Sequence, residues 1–296
     1  MSRLAFAKHF AIAGQGYAPK PQKLMRAIAM FLHYSSYLQK REFQNNRFSL
    51  PPIQLSDPTE KGQFSNLAGK AIADFLSKRI DKSIFTINYE AAMRMKEMPL
   101  NVGRPDLIAF RQNSTDSNAM FAIEAKGFQK SSSGDMSVHK AQSKTGGIAV
   151  NFTVACVSYN LYNKVKCKYH DPFNDNISYD LDLVTKLTKN YYAGLLGFLN
   201  NRFFEYSEID YNGEKFYAVR LRHRYFEEIL QESLLRNFWW HEFYDFSPSL
   251  ILPGNINDLA KEGIWKGTIP FSFETNSENS YIYIDNDRIG LSLRRW

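Results

Sequence analysis

The sequence predicts an α/β fold in which helices flank a central mixed sheet, followed by an α+β region. Two observations support this prediction. Short apolar segments rich in β-branched and aromatic residues lie between residues 83 and 159, and amphipathic helical patterns precede and interrupt them. The chain has 296 residues, 44% of them hydrophobic and 23% charged. This composition is that of an ordinary globular protein and excludes a largely disordered or coiled-coil chain.

The segment before residue 83 is predicted to be mainly helical. Prolines end a loose N-terminal segment at 19–21, and residues 23–43 have apolar positions near helical spacing. Residues 49–59 contain three prolines and predict a linker. A second helix, with one apolar stripe, is predicted to begin near Glu60.

Four short strands are predicted next, at 83–89, 104–110, 119–125 and 148–159. A polar turn at 111–118 joins the second strand to the third. A short helix at 136–144 lies between the third and the fourth. The resulting order of helix, three strands, helix and strand is typical of an α/β core with a mixed sheet.

The last part of the chain has a different pattern. We expect a helix at 181–204, a strand at 215–222, an aromatic-rich helix at 225–240 and a hairpin formed by 281–284 and 288–293. The chain therefore divides into a basic N-terminal helical segment (1–50), a core (51–170) and an acidic, aromatic-rich α+β region (171–296). The last region is expected to serve accessory, dimerisation or target-selection roles.

Charge is distributed unevenly along the chain. Residues 1–170 carry 24 Lys or Arg and 11 Asp or Glu, whereas residues 171–296 carry 13 and 19. A basic half beside an acidic half indicates that the first half meets a polyanion such as nucleic acid. The alternative is a solvated basic face with no partner.

Several classes of protein are excluded by what the sequence lacks. No apolar run approaches the roughly 20 residues that span a bilayer, so we expect no membrane partner, and no signal peptide is expected. There is no phosphate-binding loop or dinucleotide fingerprint, so no nucleotide cofactor is expected. Cys156 and Cys167 are predicted to be buried free thiols, which favours a reducing, cytoplasmic setting. A zinc site formed by these cysteines with His170 is the weaker alternative, because no paired Cys-x-x-Cys anchors it.

The residues that suggest chemistry lie on two neighbouring predicted strands. Asp106 begins an apolar strand, and Glu124 and Lys126 end the next one. Residues i and i+2 of a strand share a face, so the three side chains meet if the strands pair as a hairpin. Two buried carboxylates would repel each other, and a divalent cation removes that repulsion. Mg²⁺ is the expected ion, with Mn²⁺ as a substitute. The alternative is a surface salt bridge between Lys126 and either carboxylate.

The run Pro105-Asp106 followed by Glu124-Ala125-Lys126 resembles the motif of the PD-(D/E)XK nuclease superfamily. The order of elements around it is similar to the restriction-endonuclease-like core of that superfamily, over about 100 of the 296 residues. The resemblance implies that Asp106 and Glu124 hold one or two metal ions. It also implies that Lys126 assists the nucleophilic water and that the backbone carbonyl of Ala125 is a further metal ligand.

The same resemblance implies residues outside the motif. Many members place a glutamate near the second metal, and Glu60 or, less directly, Glu90 is the candidate here. Some members carry Gln or Lys on the helix after the motif, and Gln142 and Lys144 are expected to touch phosphate there. The basic first half supplies the other residues expected to touch nucleic acid, which are Lys20, Lys23, Arg26, Arg104, Lys130 and Lys140.

These observations predict a metal-dependent endonuclease that hydrolyses DNA, with a role in restriction or phage defence implied by resemblance. A homodimer or a partner subunit is expected. One alternative is a protein with a nuclease-like fold that binds nucleic acid without cleaving it. A second is a transposon-end or RNA-cleaving nuclease of the same superfamily. A third is a hydrolase that uses Asp106 and Glu124 as an acid/base pair on a glycoside.

Overall fold

A computed structural model describes residues 1–16, 34–50, 57–100, 103–112, 118–131, 136–170, 179–222, 248–265 and 281–293. Its helices are α1 (Arg3–Ile12), α2 (Lys40–Gln44), α3 (Pro58–Ile80), α4 (Tyr89–Met95), α5 (Met136–Ser143), α6 (Leu181–Leu196) and α7 (Ile256–Glu262). Its strands are β1 (Phe85–Asn88), β2 (Leu107–Arg111), β3 (Ala119–Gly127), β4 (Phe152–Tyr159), β5 (Lys166–His170), β6 (Phe204–Tyr211), β7 (Glu214–Leu221), β8 (Ser249–Pro253), β9 (Ile282–Ile284) and β10 (Gly290–Ser292). The predicted α/β class is confirmed.

The strands form two sheets of five. The first has the order β1-β2-β3-β4-β5, in which β3 and β4 run parallel and the other neighbours are antiparallel. The second has the order β6-β7-β8-β10-β9 and is antiparallel throughout. The predicted mixed sheet is therefore confirmed, and the predicted C-terminal hairpin is β9–β10.

Helix α3 packs closely on one face of the mixed sheet. Ala73 of α3 lies in one apolar cluster with Leu107 and Phe121 of β2 and β3. The helix comes closest at two glycines, because a Cβ on Gly69 would lie 2.6 Å from the backbone of β3 and one on Gly127 would lie 1.9 Å from the carbonyl oxygen of Ser65. This contact fixes the end of β3 against the helix.

The other face of the mixed sheet packs against the C-terminal part of the chain. One apolar cluster contains Ile108 of β2, Ala122 of β3, Tyr191 of α6 and Val219 of β7, and also Ile12 of α1. Residues from all three predicted segments of the chain therefore share a core.

Six ionisable side chains with almost no solvent exposure form what we call the buried ionic cluster. Its members are Lys8, His9, Asp74, Lys78, Asp285 and Asp287. Asp287 accepts hydrogen bonds from Lys8 at 2.8 and 2.9 Å and from Lys78 at 2.8 Å. His9 places Nδ1 2.6 Å from Asp74 and Nε2 3.1 Å from Asp285. The cluster thus joins α1, α3 and the turn of the C-terminal hairpin.

The prediction of a loose N-terminal segment was wrong, since Arg3–Ile12 is α1. Lys8 and His9 interrupt its apolar pattern, yet both are buried because carboxylates far away in the sequence pair with them. A periodicity argument treats such positions as solvent-facing, and this is why the helix was missed.

Three other helical predictions have different outcomes. The helix at 23–43 is not continuous in its described part, where a 3₁₀ turn at Ser35–Leu38 and α2 are separated by extended Gln39. Tyr37 of this turn is buried and stacks on Phe64, with the ring centres 4.1 Å apart. The helix predicted at 181–204 ends at Leu196, and Phe204, the last residue of the predicted range, is the first residue of β6. The helix at 225–240 lies outside the described residues.

No helix in the described part of the chain is long and apolar enough to cross a membrane.

Candidate active site

The two strands that carry the predicted motif pair as expected. Leu107 of β2 lies opposite Ile123 of β3 in an antiparallel register, and the backbone N–H of Asp106 donates to the carbonyl of Ile123 at 3.1 Å. Asp106 therefore stands opposite Glu124. Opposite residues of an antiparallel pair share a face, and Lys126 follows two residues later on that face. The hairpin thus brings together the three side chains that the sequence selected.

Asp106 is held by one backbone group and one side chain. Its Oδ2 accepts a hydrogen bond from the N–H of Ala125 at 3.1 Å, and its Oδ1 lies 3.0 Å from Nζ of Lys70. The Asp106 side chain is 22% exposed. Its carboxylate is therefore fixed in direction but remains reachable from solvent.

Glu124 is in a very different environment. Its side chain is fully buried, and Oε2 has no hydrogen-bond partner among the described residues. Nζ of Lys126 lies 2.5 Å from Oε1 and forms an ion pair with it. The pKa of the Glu124 carboxyl is raised to about 7, chiefly by burial and also by nearby Asp106, while Lys126 opposes the rise.

Lys70 is a site residue that the sequence analysis missed. It lies on α3 directly after Gly69, where the helix crosses the end of β3, and its ammonium faces Asp106. The two carboxylates are therefore each paired with one lysine. A sequence signal did exist, since a glycine inside a helix is unfavourable by about 1 kcal/mol and often marks a close backbone approach.

The structure does not bring the other two candidate glutamates to Asp106 and Glu124. Glu60 accepts a hydrogen bond from the hydroxyl of Tyr37 at 3.0 Å. It precedes Lys70 by ten residues of α3, which is about 15 Å along a helix. Glu90 pairs with Arg94 and Arg104, and hydrogen bonds from these two arginines lower its pKa. A metal-binding role for either glutamate stays a prediction.

One of the predicted nucleic-acid contacts must be corrected. Lys140 is buried, and its ammonium donates to Oγ1 of Thr153 at 2.7 Å. Thr153 is in register with Ala122, so it shares the sheet face of Glu124, and α5 packs over that face. The ammonium of Lys140 therefore supports α5 on the sheet and is turned away from any surface ligand.

The remaining predicted contacts are spread over the surface or lie outside the described residues. Lys130 and Lys144 are exposed, and Gln142 is half-buried. Arg104 is occupied by Glu90 and by the carbonyl of Leu100 at 3.1 Å. Lys20, Lys23 and Arg26 fall in residues 17–33, which the structure does not describe.

The donor set suits a hard cation with few protein ligands. In the described ranges there is no group of three or more His, Cys, Asp or Glu side chains that could hold a metal, and this includes Cys156, Cys167 and His170. Mg²⁺, however, commonly takes one or two carboxylates and keeps several waters. Oε2 of the buried Glu124 carboxylate, which has no hydrogen-bond partner in the described part of the chain, is the donor that such an ion would satisfy.

Comparisons of the chain with protein-family models, with curated proteins and with solved structures found no match.

Proposed function

We propose that the protein is a metal-dependent nuclease that hydrolyses phosphodiester bonds of DNA, with a restriction-endonuclease-like core of the PD-(D/E)XK type. One observation carries the proposal. Glu124 is a fully buried carboxylate whose Oε2 has no hydrogen-bond partner among the described residues, and it stands opposite a second carboxylate, Asp106, at the end of paired strands. Two neighbouring carboxylates, one of them fully buried, repel each other, and a bound cation would remove that cost.

Asp106 and Glu124 would hold the cation, with the backbone carbonyl of Ala125 as a further candidate ligand. A bound Mg²⁺ or Mn²⁺ supplies Lewis-acid activation of water and of a phosphate oxygen. Asp106 is suited to its role because Ala125 fixes the direction of its carboxylate while leaving one side open to solvent.

The two lysines would contribute positive charge to the site when Asp106 and Glu124 bind the cation. Lys126 lies 2.5 Å from Glu124, and Lys70 lies 3.0 Å from Asp106. Both lysine side chains are 29% exposed, so a phosphate can approach them. Lys126 would orient the attacking water and offset charge that develops on the phosphate, while Lys70 would hold Asp106 in place before the cation binds.

The charge of the chain supports a polyanionic substrate. The net charge is +7, and the excess of basic residues lies in the first 170 residues, which include the whole site. Polyanion binding through Lys and Arg releases counterions from the phosphate backbone. A dimer, a cytoplasmic setting and a role in restriction or phage defence stay predictions from the sequence.

The test is a panel of substrates with and without metal. The purified protein is incubated with supercoiled, linear and single-stranded DNA and with RNA, in Mg²⁺, Mn²⁺ or EDTA. We expect metal-dependent cleavage of DNA that Glu124→Gln abolishes and Glu205→Gln preserves, because Glu205 belongs to a remote, part-exposed pair with Arg220. Cleavage of RNA but not of DNA would show that the substrate is RNA and would contradict the proposed DNA substrate. Binding without cleavage in any metal would contradict the proposal and select the non-cleaving alternative.

A further inference from the structure

The two cysteines of the chain lie side by side on neighbouring strands. Sγ of Cys156 on β4 is 3.5 Å from Sγ of Cys167 on β5, and both cysteines are free thiols. Cys156 is opposite Tyr169 and Cys167 is opposite Ser158, so the two thiols are diagonal neighbours on one face of the sheet. The sequence analysis expected two buried thiols, and the structure corrects this for Cys167, which is exposed because β5 is an edge strand.

The two thiols differ in access and in acidity. Cys156 is fully buried, whereas Cys167 opens to solvent. Contact with the Cys156 thiol lowers the pKa of the Cys167 thiol, and the hydroxyl of Ser158, which donates to Sγ of Cys167 at 3.7 Å, contributes in the same direction. The same contact raises the pKa of Cys156. Because the thiolate is the nucleophile in disulfide exchange, Cys167 is the reactive partner and Cys156 is the group placed to resolve its adduct.

We propose that Cys167 and Cys156 form a reversible redox pair, in which a low-molecular-weight disulfide of the glutathione type oxidises the two thiols to an intramolecular disulfide. The Cys167 thiolate attacks one sulfur of the small disulfide, forming a mixed disulfide and releasing one thiolate. Cys156 then loses its proton, attacks Sγ of Cys167 and releases the second thiolate. Both electrons go to the small disulfide, which leaves as two thiols, and a thiol reductant reverses the sequence.

The geometry favours closure of the pair. A disulfide bond is about 2.05 Å long, so the sulfurs must approach by roughly 1.5 Å from their present contact. In the described sheet β5 pairs with β4 alone, so it can shift without displacing a further strand. Cys156 is also in register with Ala125, the residue between Glu124 and Lys126. The modification would therefore sit one strand away from the candidate active site, although it does not depend on the proposed nuclease function.

Thiol counting and mass spectrometry test the proposal. The reduced protein is incubated with glutathione disulfide, and free thiols and intact mass are followed before and after dithiothreitol. We expect the parent to lose both thiols, to retain no glutathione, and to recover both thiols on reduction. Peptide mapping should find the link between Cys156 and Cys167. A parent that keeps both thiols, or that retains glutathione without forming the internal link, would overturn the proposal.

Two serine variants assign the order of attack. Cys156→Ser should retain one glutathione on Cys167, because the resolving thiol is absent. Cys167→Ser should react at least about tenfold more slowly, since its remaining thiol is buried. Equal rates in the two variants would show that exposure of Cys167 does not set the reaction. Thermal unfolding checks that each variant is folded, and the internal link in the parent is decisive whichever variant folds.

Discussion

Substitution of Lys126 tests whether its charge serves catalysis or only the ion pair with Glu124. It contacts the buried Glu124 while 29% of its own side chain remains exposed. If it serves the reaction, Lys126→Ala should leave DNA affinity nearly unchanged and lower the single-turnover rate of cleavage by about a hundredfold or more, the range seen when a site loses one electrostatic contributor. Lys126→Arg should restore little of the rate, because a planar guanidinium places its charge differently from a compact ammonium.

The matched control for this prediction is Lys168→Ala, which removes an exposed lysine from β5. It should cleave at the parent rate. If Lys126→Ala also cleaves at the parent rate, the lysine is part of an ion pair only, and the motif loses its most specific residue.

The raised pKa of Glu124 predicts how the stability of the protein depends on pH. Burial raises its pKa from 4.5 to about 7. The folded protein therefore holds a proton that the unfolded chain has already released between these two pH values, so the free energy of unfolding falls as pH rises through this window and levels off above it. Glu124→Gln removes the titrating group. In EDTA, the free energy of unfolding of the variant minus that of the parent should therefore increase by about 1–3 kcal/mol between about pH 4 and about pH 8.

Denaturant unfolding of both proteins at the two pH values measures this difference. A constant difference between variant and parent would mean that Glu124 ionises normally in the folded state, and the argument from its burial would then be lost.

At the residue level, the sequence was sufficient for the groups that lie close together along the chain. Asp106, Glu124 and Lys126 could be selected because a hairpin and strand alternation place them on one face. Lys70 could not be selected in this way, because its position depends on where α3 crosses β3. The pairings of Glu60 with Tyr37 and of Lys140 with Thr153 were equally inaccessible, since both depend on packing between separate elements.

The contact between α3 and β3 positions the end of the strand that carries Lys126. A Cβ on Gly69 would lie 2.6 Å from backbone atoms of Lys126 and Gly127, which cannot move aside as a side chain could. Gly69→Ala should therefore destabilise the protein by about 1–3 kcal/mol, as overpacking commonly does. It should also lower the cleavage rate, because the end of β3 must shift.

Gly62 on the same helix provides the control for this change. A Cβ there meets nothing within 4 Å, so Gly62→Ala should be neutral or stabilising by up to about 1 kcal/mol. Thermal unfolding of the two variants makes the comparison. A Gly69→Ala protein as stable as Gly62→Ala would show that helix and strand are not in close contact.

Element prediction was successful where periodicity alone decides the structure. The four core strands, α3, α5 and the C-terminal hairpin follow from alternation, an apolar stripe or a turn. Periodicity did not predict helix α1, because Lys8 and His9 are buried by partners more than sixty residues away along the chain. Local pattern cannot reveal that a charge has a distant partner, and the same reason hid the buried ionic cluster.

On the scale of the whole molecule, the buried ionic cluster ties the N-terminal helix and the C-terminal hairpin to α3. Asp287 contacts both Lys8 and Lys78, and no group in the trio is more than 1% exposed. Asp287→Asn should destabilise the protein by about 3–5 kcal/mol, because it leaves buried positive charge without full compensation. Glu205→Gln, in an exposed ion pair, should cost less than about 1 kcal/mol.

Denaturant unfolding compares these two variants with the parent. Equal, small effects would show that the cluster contributes no more than a surface pair and that the C-terminal hairpin is held mainly by apolar contacts.

The central claim is that Glu124 and Asp106 form a cation site for phosphodiester cleavage. Single-turnover cleavage of plasmid DNA by the parent, by Glu124→Gln and by Glu205→Gln, at saturating protein with Mg²⁺, tests it most directly. We predict that the parent and Glu205→Gln cut at the same rate, that EDTA stops both, and that Glu124→Gln is slower by about a hundredfold or more. Cleavage by Glu124→Gln at the parent rate, or cleavage that persists in EDTA, would contradict the claim.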